Sequence, residues 1–299
     1  MRSCLTLFAL LFLCLGQADT AAQQDFAKVE VKAIKVAGNI HMLQGLGGNI
    51  GVSVGPDGIL IVDDQFAPLA DKIKAALKSL GEGKLKFVLN THWHGDHTGG
   101  NVVFGPEAPI IAHTHVRKRL KDGIVAGQRI VKPAPAEALP VITFDDSLSV
   151  HFNGEEIRVI HFPRGHTDGD SVIFFTASNV VHMGDNFFVG AFPFVDLASG
   201  GDVGGLVKNI GEIIEKLAPD VKIIPGHGPL STIDDLKLYH RMLVETTGHV
   251  RKGMAEGKTL QQLKAEGLPE EWKSWGTGFI KTEPWIETIY NSFSRAGSD

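Results

Sequence analysis

Between Val29 and Val62 the chain alternates short β-branched and apolar runs with glycine: Val29 to Val36, Ile40 to Leu43, Asn49 to Val54 and Gly58 to Val62. Runs of this length bounded by turn residues predict strands, and Gly55-Pro56-Asp57-Gly58 predicts a hairpin between the last two. From Ala67 to Leu80 the period changes. Leu69, Ile73, Ala76, Leu77 and Leu80 recur at helical spacing with lysines opposite, and Gly81 ends the helix. Phe87-Val88-Leu89 and Ile110 to Ala112 read as further strands, and His113 to Leu120 as a helix start. The glycine-rich stretch Gly45-Leu46-Gly47-Gly48 fits either a flap beside a site or a bulge.

Beyond the Pro/Ala-rich connector Lys132 to Pro140, the strand pattern resumes: Val141 to Phe144, Leu148 to Phe152, Ile157 to Phe162, Val172 to Phe175 and Val180 to Met183. Helical periodicity marks Val203 to Leu217 and Asp234 to Met254, with a strand at Val221 to Ile224 between them. Shorter helices are expected at Leu260 to Ala265 and Pro284 to Phe293, where Trp272, Trp275 and Trp285 pack the tail onto the rest. Strands in two groups with helices between and after them predict an α/β sandwich, two packed sheets with helices outside.

Composition adds two constraints. With 299 residues, 43% of them apolar, the chain can bury one sizeable core, and nothing requires a second domain. The formal net charge is −5, and the densest basic stretch, Arg117-Lys118-Arg119-Leu120-Lys121, reads as one solvated helix face, which counts against nucleic acid as a partner.

The N-terminus reads as an export signal over residues 1–22. Arg2 supplies the positive charge, Cys4 to Leu15 the apolar run, and Ala18, Ala21 and Ala22 the small residues near a cleavage point. A membrane span needs about 20 apolar residues, so no stable membrane anchor is expected. A periplasmic or secreted protein follows, one domain over residues 23–299 with a helical tail. Both cysteines, Cys4 and Cys14, lie inside the signal, so metal ligands further on must offer nitrogen or oxygen.

The chemistry concentrates in Thr91-His92-Trp93-His94-Gly95-Asp96-His97-Thr98-Gly99-Gly100, directly after a strand. Four metal-competent side chains within six positions are costly to bury unless a cation pairs them. His92 and His94 can point one way, and Asp96 and His97, after a glycine, another. One segment thus offers ligands to two metals. Three later positions repeat one grammar, a lone metal-competent residue beside glycine where a β run ends: His166 in Arg164-Gly165-His166, Asp185 in Gly184-Asp185 and His227 in Gly226-His227-Gly228. His113 and His115 repeat the His-x-His spacing without carboxylate or glycine and are expected at the surface or behind a site. His41, His151, His161, His240 and His249 lie in strand-like or helical runs and are expected to have structural or exposed roles.

His-x-His-x-Asp-His followed by Thr-Gly-Gly resembles the metal-binding motif of the metallo-β-lactamase superfamily, and the three later positions match its later motifs in order. The resemblance runs from about Ile40 to Leu230 and implies a four-layer αββα sandwich. It also implies that His92, His94 and His166 hold one metal, that Asp96, His97 and His227 hold a second, and that Asp185 bridges them. Asp63, at the end of the fourth strand, would lie beneath the metal loop and support the ligands. Two Zn2+ ions suit this set, with iron or manganese as alternatives.

The expected activity is hydrolysis of a small carbonyl compound, a cyclic amide, lactone or ester, by a metal-bridging hydroxide that Asp96 helps orient. Asp185 departs from well-known zinc β-lactamases, which usually carry cysteine or serine there, and Phe188 stands where many of them place a lysine. Thioesterases of the hydroxyacylglutathione hydrolase type keep the aspartate, and an iron-dependent oxidoreductase on the same fold is the third reading. Against the glutathione thioesterase stand the export signal and a tail without a basic cluster. The loop Phe187 to Phe194 forms either an apolar wall over the metals or core.

Overall fold

The computed structural model describes residues 25–126 and 129–296. The expected export signal, with Cys4 and Cys14, lies outside the described residues. The first strands are Lys32–Ala37 (β1), Ile40–Gln44 (β2), Ile50–Gly55 (β3), Gly58–Val62 (β4), Leu85–Leu89 (β5) and Ile110–His113 (β6). A hairpin of Ile124–Ala126 (β7) and Arg129–Val131 (β8) stands apart from them. Ile142–Phe144 (β9) returns to close a seven-stranded sheet in the order β1-β2-β3-β4-β5-β6-β9. The second sheet takes Ser147–Phe152 (β10), Glu155–His161 (β11), Ser171–Phe175 (β12), Val180–His182 (β13) and Lys222–Ile224 (β14) in chain order.

The helices are Ala70–Leu80 (α1), Gly95–Thr98 (α2), Asn101–Phe104 (α3), Thr114–Asp122 (α4), Val203–Lys216 (α5), Ile233–Ala255 (α6), Leu260–Glu266 (α7) and Thr282–Ala296 (α8). Pro68 starts a 3-10 turn ahead of α1, so the periodicity from Ala67 resolves into two pieces. At α6 a reciprocal cap forms, in which Thr232 accepts from Asp235 N and the Asp235 carboxylate accepts from Thr232 N.

Strand alternation sorts the side chains into layers. In β4, Leu60 and Val62 face the second sheet and meet Ile157, Val159 and Ile173, while Ile59 and Ile61 face Ile73 and Leu77 of α1. On the far side, Val172, Val181 and Ile223 of the second sheet pack against Leu206 and Ile210 of α5 and Leu236, Leu243 and Val250 of α6. The order is helix, sheet, sheet, helix, the αββα sandwich. Trp272, Trp275 and Trp285 are buried in this last layer.

Three local expectations change. β1 begins at Lys32 rather than Val29. The β7–β8 hairpin is built from two mostly apolar runs of three residues, too short to show a period. Arg119, expected to be solvated, forks onto Asp168 instead, with Nη2 to Oδ2 at 2.6 Å.

Candidate metal centre

All the candidate donors sit at strand ends along one rim of the sandwich. His92, His94, Asp96 and His97 follow β5 of the first sheet, with Asp96 and His97 in the first turn of α2. His166 follows β11, Asp185 follows β13 and His227 follows β14, all in the second sheet. Folding brings them into two groups, His92, His94, His166 and Asp185 in one and Asp96, His97 and His227 in the other, with the donor atoms of each group within 4.8 Å of one another.

In the first group His94 Nδ1 lies 3.1 Å from His92 Nε2 and 2.8 Å from His166 Nε2. Asp185 Oδ2 lies 3.7 and 3.5 Å from His92 Nε2 and His166 Nε2. In the second group His227 Nε2 is 3.4 Å from His97 Nε2 and 3.3 Å from Asp96 Oδ2. The other Asp185 oxygen, Oδ1, turns to this group, 3.0 Å from His97 Nε2 and 3.3 Å from His227 Nε2. One carboxylate therefore divides its oxygens between the groups.

The outer ring nitrogens decide what the inner ones present. His94 Nε2 is 2.9 Å from Asp196 Oδ2, His97 Nδ1 2.7 Å from Asp63 Oδ2, and His166 Nδ1 2.6 Å from the Phe194 carbonyl. Each of these partners only accepts, so each outer nitrogen carries the proton. His92 follows suit, because the Thr91 hydroxyl donates to Asp63 and so accepts from His92 Nδ1, 3.0 Å away. In their neutral forms all four rings aim bare lone pairs inward, and lone pairs 2.8–3.1 Å apart repel unless a cation lies between them. Asp185 Oδ1, buried and without a well-formed hydrogen bond, completes the picture. A tetrahedron with ligands at about 2.0–2.1 Å has edges of about 3.4 Å, so these separations fit a divalent cation in each group.

Charge compensation points the same way. Burial alone would lower His97 and His227, but Asp185, Asp96 and, for His97, Asp63 outweigh it, raising His97 well above its usual range and His227 to about 9. Burial, opposed by Asp185 and reinforced by His94, pulls His166 down to about 4. Burial works to raise Asp96, yet His97 and a hydrogen bond from His227 hold it at about 2. The buried carboxylates thus favour positive charge at this point.

Backbone geometry tightens the enclosure. A Cβ on Gly48 would lie 2.1 Å from the His97 ring, and one on Gly226 would lie 2.2 Å from Asp185 Oδ1, so both positions exclude any side chain. Thus the glycine-rich stretch at residues 45–48 packs against the centre. Asp63 adopts φ +66°, a strained conformation held while Oδ1 accepts from Thr91 N at 2.8 Å.

A cavity of about 750 Å3 opens beside the donors. The loop Phe187 to Phe194 contributes both to core and to wall: Phe187 and Phe192 are 1% exposed, while Phe188 and Phe194 line the cavity together with Phe192. Phe188 stacks on the His227 ring, with centroids 5.2 Å apart. Two contributors are not visible in the sequence. Asp196 comes from a loop with no metal motif, its one local sign being the Asp-x-x-Ser cap that it forms with Ser199. Phe279 reaches the cavity from the tail.

The metallo-beta-lactamase superfamily description matches residues 45–247. The chain belongs to this superfamily. It is 29% identical to Lactamase-like protein nscB of Aspergillus fumigatus, over 62% of this chain and 48% of that protein. It is 30% identical to Atrochrysone carboxyl ACP thioesterase dmxR1 of Cryptosporiopsis sp., over 57% of this chain and 48% of that one. The chain spans about half the length of these curated relatives. A double mutant of the sec-alkyl sulfatase PisA1 superposes with a TM-score of 0.67 at 16% identity, over 90% of this chain and 52% of that one. DIM-1 metallo-beta-lactamase superposes at 0.59 with 21% identity, over 73% of this chain and 99% of that one. At such identities the structural likeness speaks to the fold alone.

Proposed function

We propose that this chain is a dinuclear metal-dependent hydrolase acting on a carbonyl compound, a cyclic amide, lactone or ester. His92, His94 and His166 would hold one cation, Asp96, His97 and His227 the other, and Asp185 both. The observation that carries this reading is the convergence of ring nitrogens and carboxylate oxygens on two points, the donor atoms of each group lying within 4.8 Å of one another. Zinc suits the imidazole-rich first group best, and the second, which adds an aspartate, also accepts iron or manganese. When bound, such a pair supplies Lewis acidity and brings the pKa of water towards about 7.

The chain's own residues do the rest. Asp63, Asp196 and the Phe194 carbonyl fix the ring tautomers, so the ligand geometry is set before any substrate arrives. Asp96 lines the cavity and stays ionised across the physiological range, placed to orient the attacking water by accepting its hydrogen bond. Phe188, Val189 and Phe194 keep bulk water from the reacting carbonyl.

A thioester is the second substrate class. What favours it is that dmxR1 is named a thioesterase and that a 28% identical stretch belongs to a hydroxyacylglutathione hydrolase of Nitrosococcus oceani. We further propose export, on the strength of residues 1–22. Among the described residues no helix is long and apolar enough to cross a membrane.

Elemental analysis of protein purified from the periplasm, followed by nitrocefin, lactone and thioester assays, tests the proposal. About two metal equivalents with hydrolysis of at least one class are expected. Hydrolysis that persists in His92→Ala with unchanged metal content would sink it.

A further inference from the structure

The cavity walls are of one chemical kind. Beyond the donors, its larger side chains are Phe66, Phe188, Val189, Phe192, Phe194 and Phe279, and among the described residues no lysine or arginine lines it. Its ionisable lining residues, His94, Asp96, Asp185 and His227, all belong to the two donor groups. Away from the donors, an anionic substituent in this cavity would therefore meet apolar side chains and glycine backbone, with no cationic side chain to pair it among the described residues. Burying a charge there unpaired costs several kcal/mol.

Phe279 stands out among these walls. Trp275 and Trp285 on either side of it in the tail are 8% and 0% exposed, whereas Phe279 is 88% exposed. Its backbone is pinned at the mouth of the cavity. Ile280 forms a β-bridge with Phe192, a Cβ on Gly278 would lie 3.1 Å from Ala191 Cβ, and Lys281 Nζ donates to the Thr277 carbonyl at 2.8 Å. A ring anchored by its neighbours yet open to water beside a reaction cavity offers its face to whatever enters.

Building on the hydrolase reading above, we propose that the substrate is an uncharged carbonyl compound with an aromatic or similarly flat apolar group next to the scissile bond. Phe279 is then a specificity-determining residue, gripping that group together with Phe188 and Phe194. The tail that supplies Phe279 thereby does more than complete the core.

The test compares neutral with anionic members of two substrate pairs on the metal-loaded full chain: dihydrocoumarin with its 6-carboxylate, and phenylacetyl-N-acetylcysteamine with phenylacetylglutathione. The neutral member of each pair should have kcat/KM higher by about tenfold or more. Phe279→Ala should lower kcat/KM for phenylacetyl-N-acetylcysteamine about five times more than for the acetyl thioester, mainly through KM. Binding is read separately by calorimetry on the metal-loaded full chain with 4-phenylbutan-2-one, a neutral ketone that is not hydrolysed. Its Kd should weaken about fivefold in Phe279→Ala. Preference for the anionic members, or an unchanged ketone Kd in the variant, overturns the inference while the hydrolase reading stands. If the loaded protein hydrolyses none of the four, the hydrolase reading falls, and the ketone titration alone still decides what the cavity accepts.

Discussion

His92 and His94 after β5, and His113 and His115 where β6 passes into α4, share the His-x-His spacing and differ in what their outer nitrogens touch. In the first pair those nitrogens meet Thr91 and Asp196, leaving the inner ones bare and converging. In the second, His113 Nε2 donates to the Asp145 carbonyl and His113 Nδ1 accepts from His115 N, so both its nitrogens are spent on backbone. His161 donates through Nδ1 to the Asp170 carbonyl and stacks on His113 at 3.8 Å. The same spacing thus contributes to the proposed metal centre in one place and to a structural stack in the other. What separates them is the set of acceptors behind the rings.

Changing one residue in each cluster gives the widest separation. Asp185→Ala, which strips an oxygen from both groups, should abolish dinuclear loading and lower hydrolysis at least roughly a thousandfold, the several kcal/mol a bound cation supplies. His113→Gln should leave metal content unchanged. Elemental analysis and initial rates read both outcomes, and loss of metal from the His113 variant would erase the distinction.

Next in size are the acceptors themselves. Asp196→Asn takes the carboxylate from behind His94, and Asp63→Asn takes it from behind His97; each should weaken metal affinity by about 10- to 100-fold in a chelator competition. The two donor groups should also part under acid. His227 takes up a proton below about 9 when no cation is present, whereas His166 stays neutral down to about 4. Cation binding at the second group must expel protons, so its affinity falls as pH falls. Between pH 8 and 6 the stoichiometry should drop from two metals towards one, the first group retaining its ion.

The smallest effect belongs to the stack. Burial, His161 and His115 hold His113 down to about 4. Between about pH 6.5 and 4 the unfolded chain takes up a proton that the folded one refuses, so stability falls as pH falls, by about 1–3 kcal/mol in total. In chelated protein, His113→Gln should flatten the loss of Tm between pH 7 and 5.

Much of this was legible from period and punctuation. Leu60 and Val62 alternate with Ile59 and Ile61, and Ile73 and Leu77 recur at helical spacing, because one face of each element must meet apolar neighbours. The seven donors stood out because each sits where a strand ends beside glycine or in the dense loop after β5. Asp196 was hidden because its partner His94 lies 102 positions away, and an isolated aspartate carries no local mark of that pairing. Phe279 was hidden for the opposite reason. An apolar residue between buried tryptophans looks like core until the fold leaves it facing water. Within residues 187–194, wall and core have the same composition, so only packing assigns Phe188 to one and Phe187 to the other.

The loop after β5 belongs to one sheet, while His166, Asp185 and His227 belong to the other. Any ion seated among them works as a rivet across the seam of the sandwich, so loading it and keeping the halves together are one equilibrium. Metal starvation would then shorten the lifetime of the protein as well as silence it, with unfastening beginning at this rim.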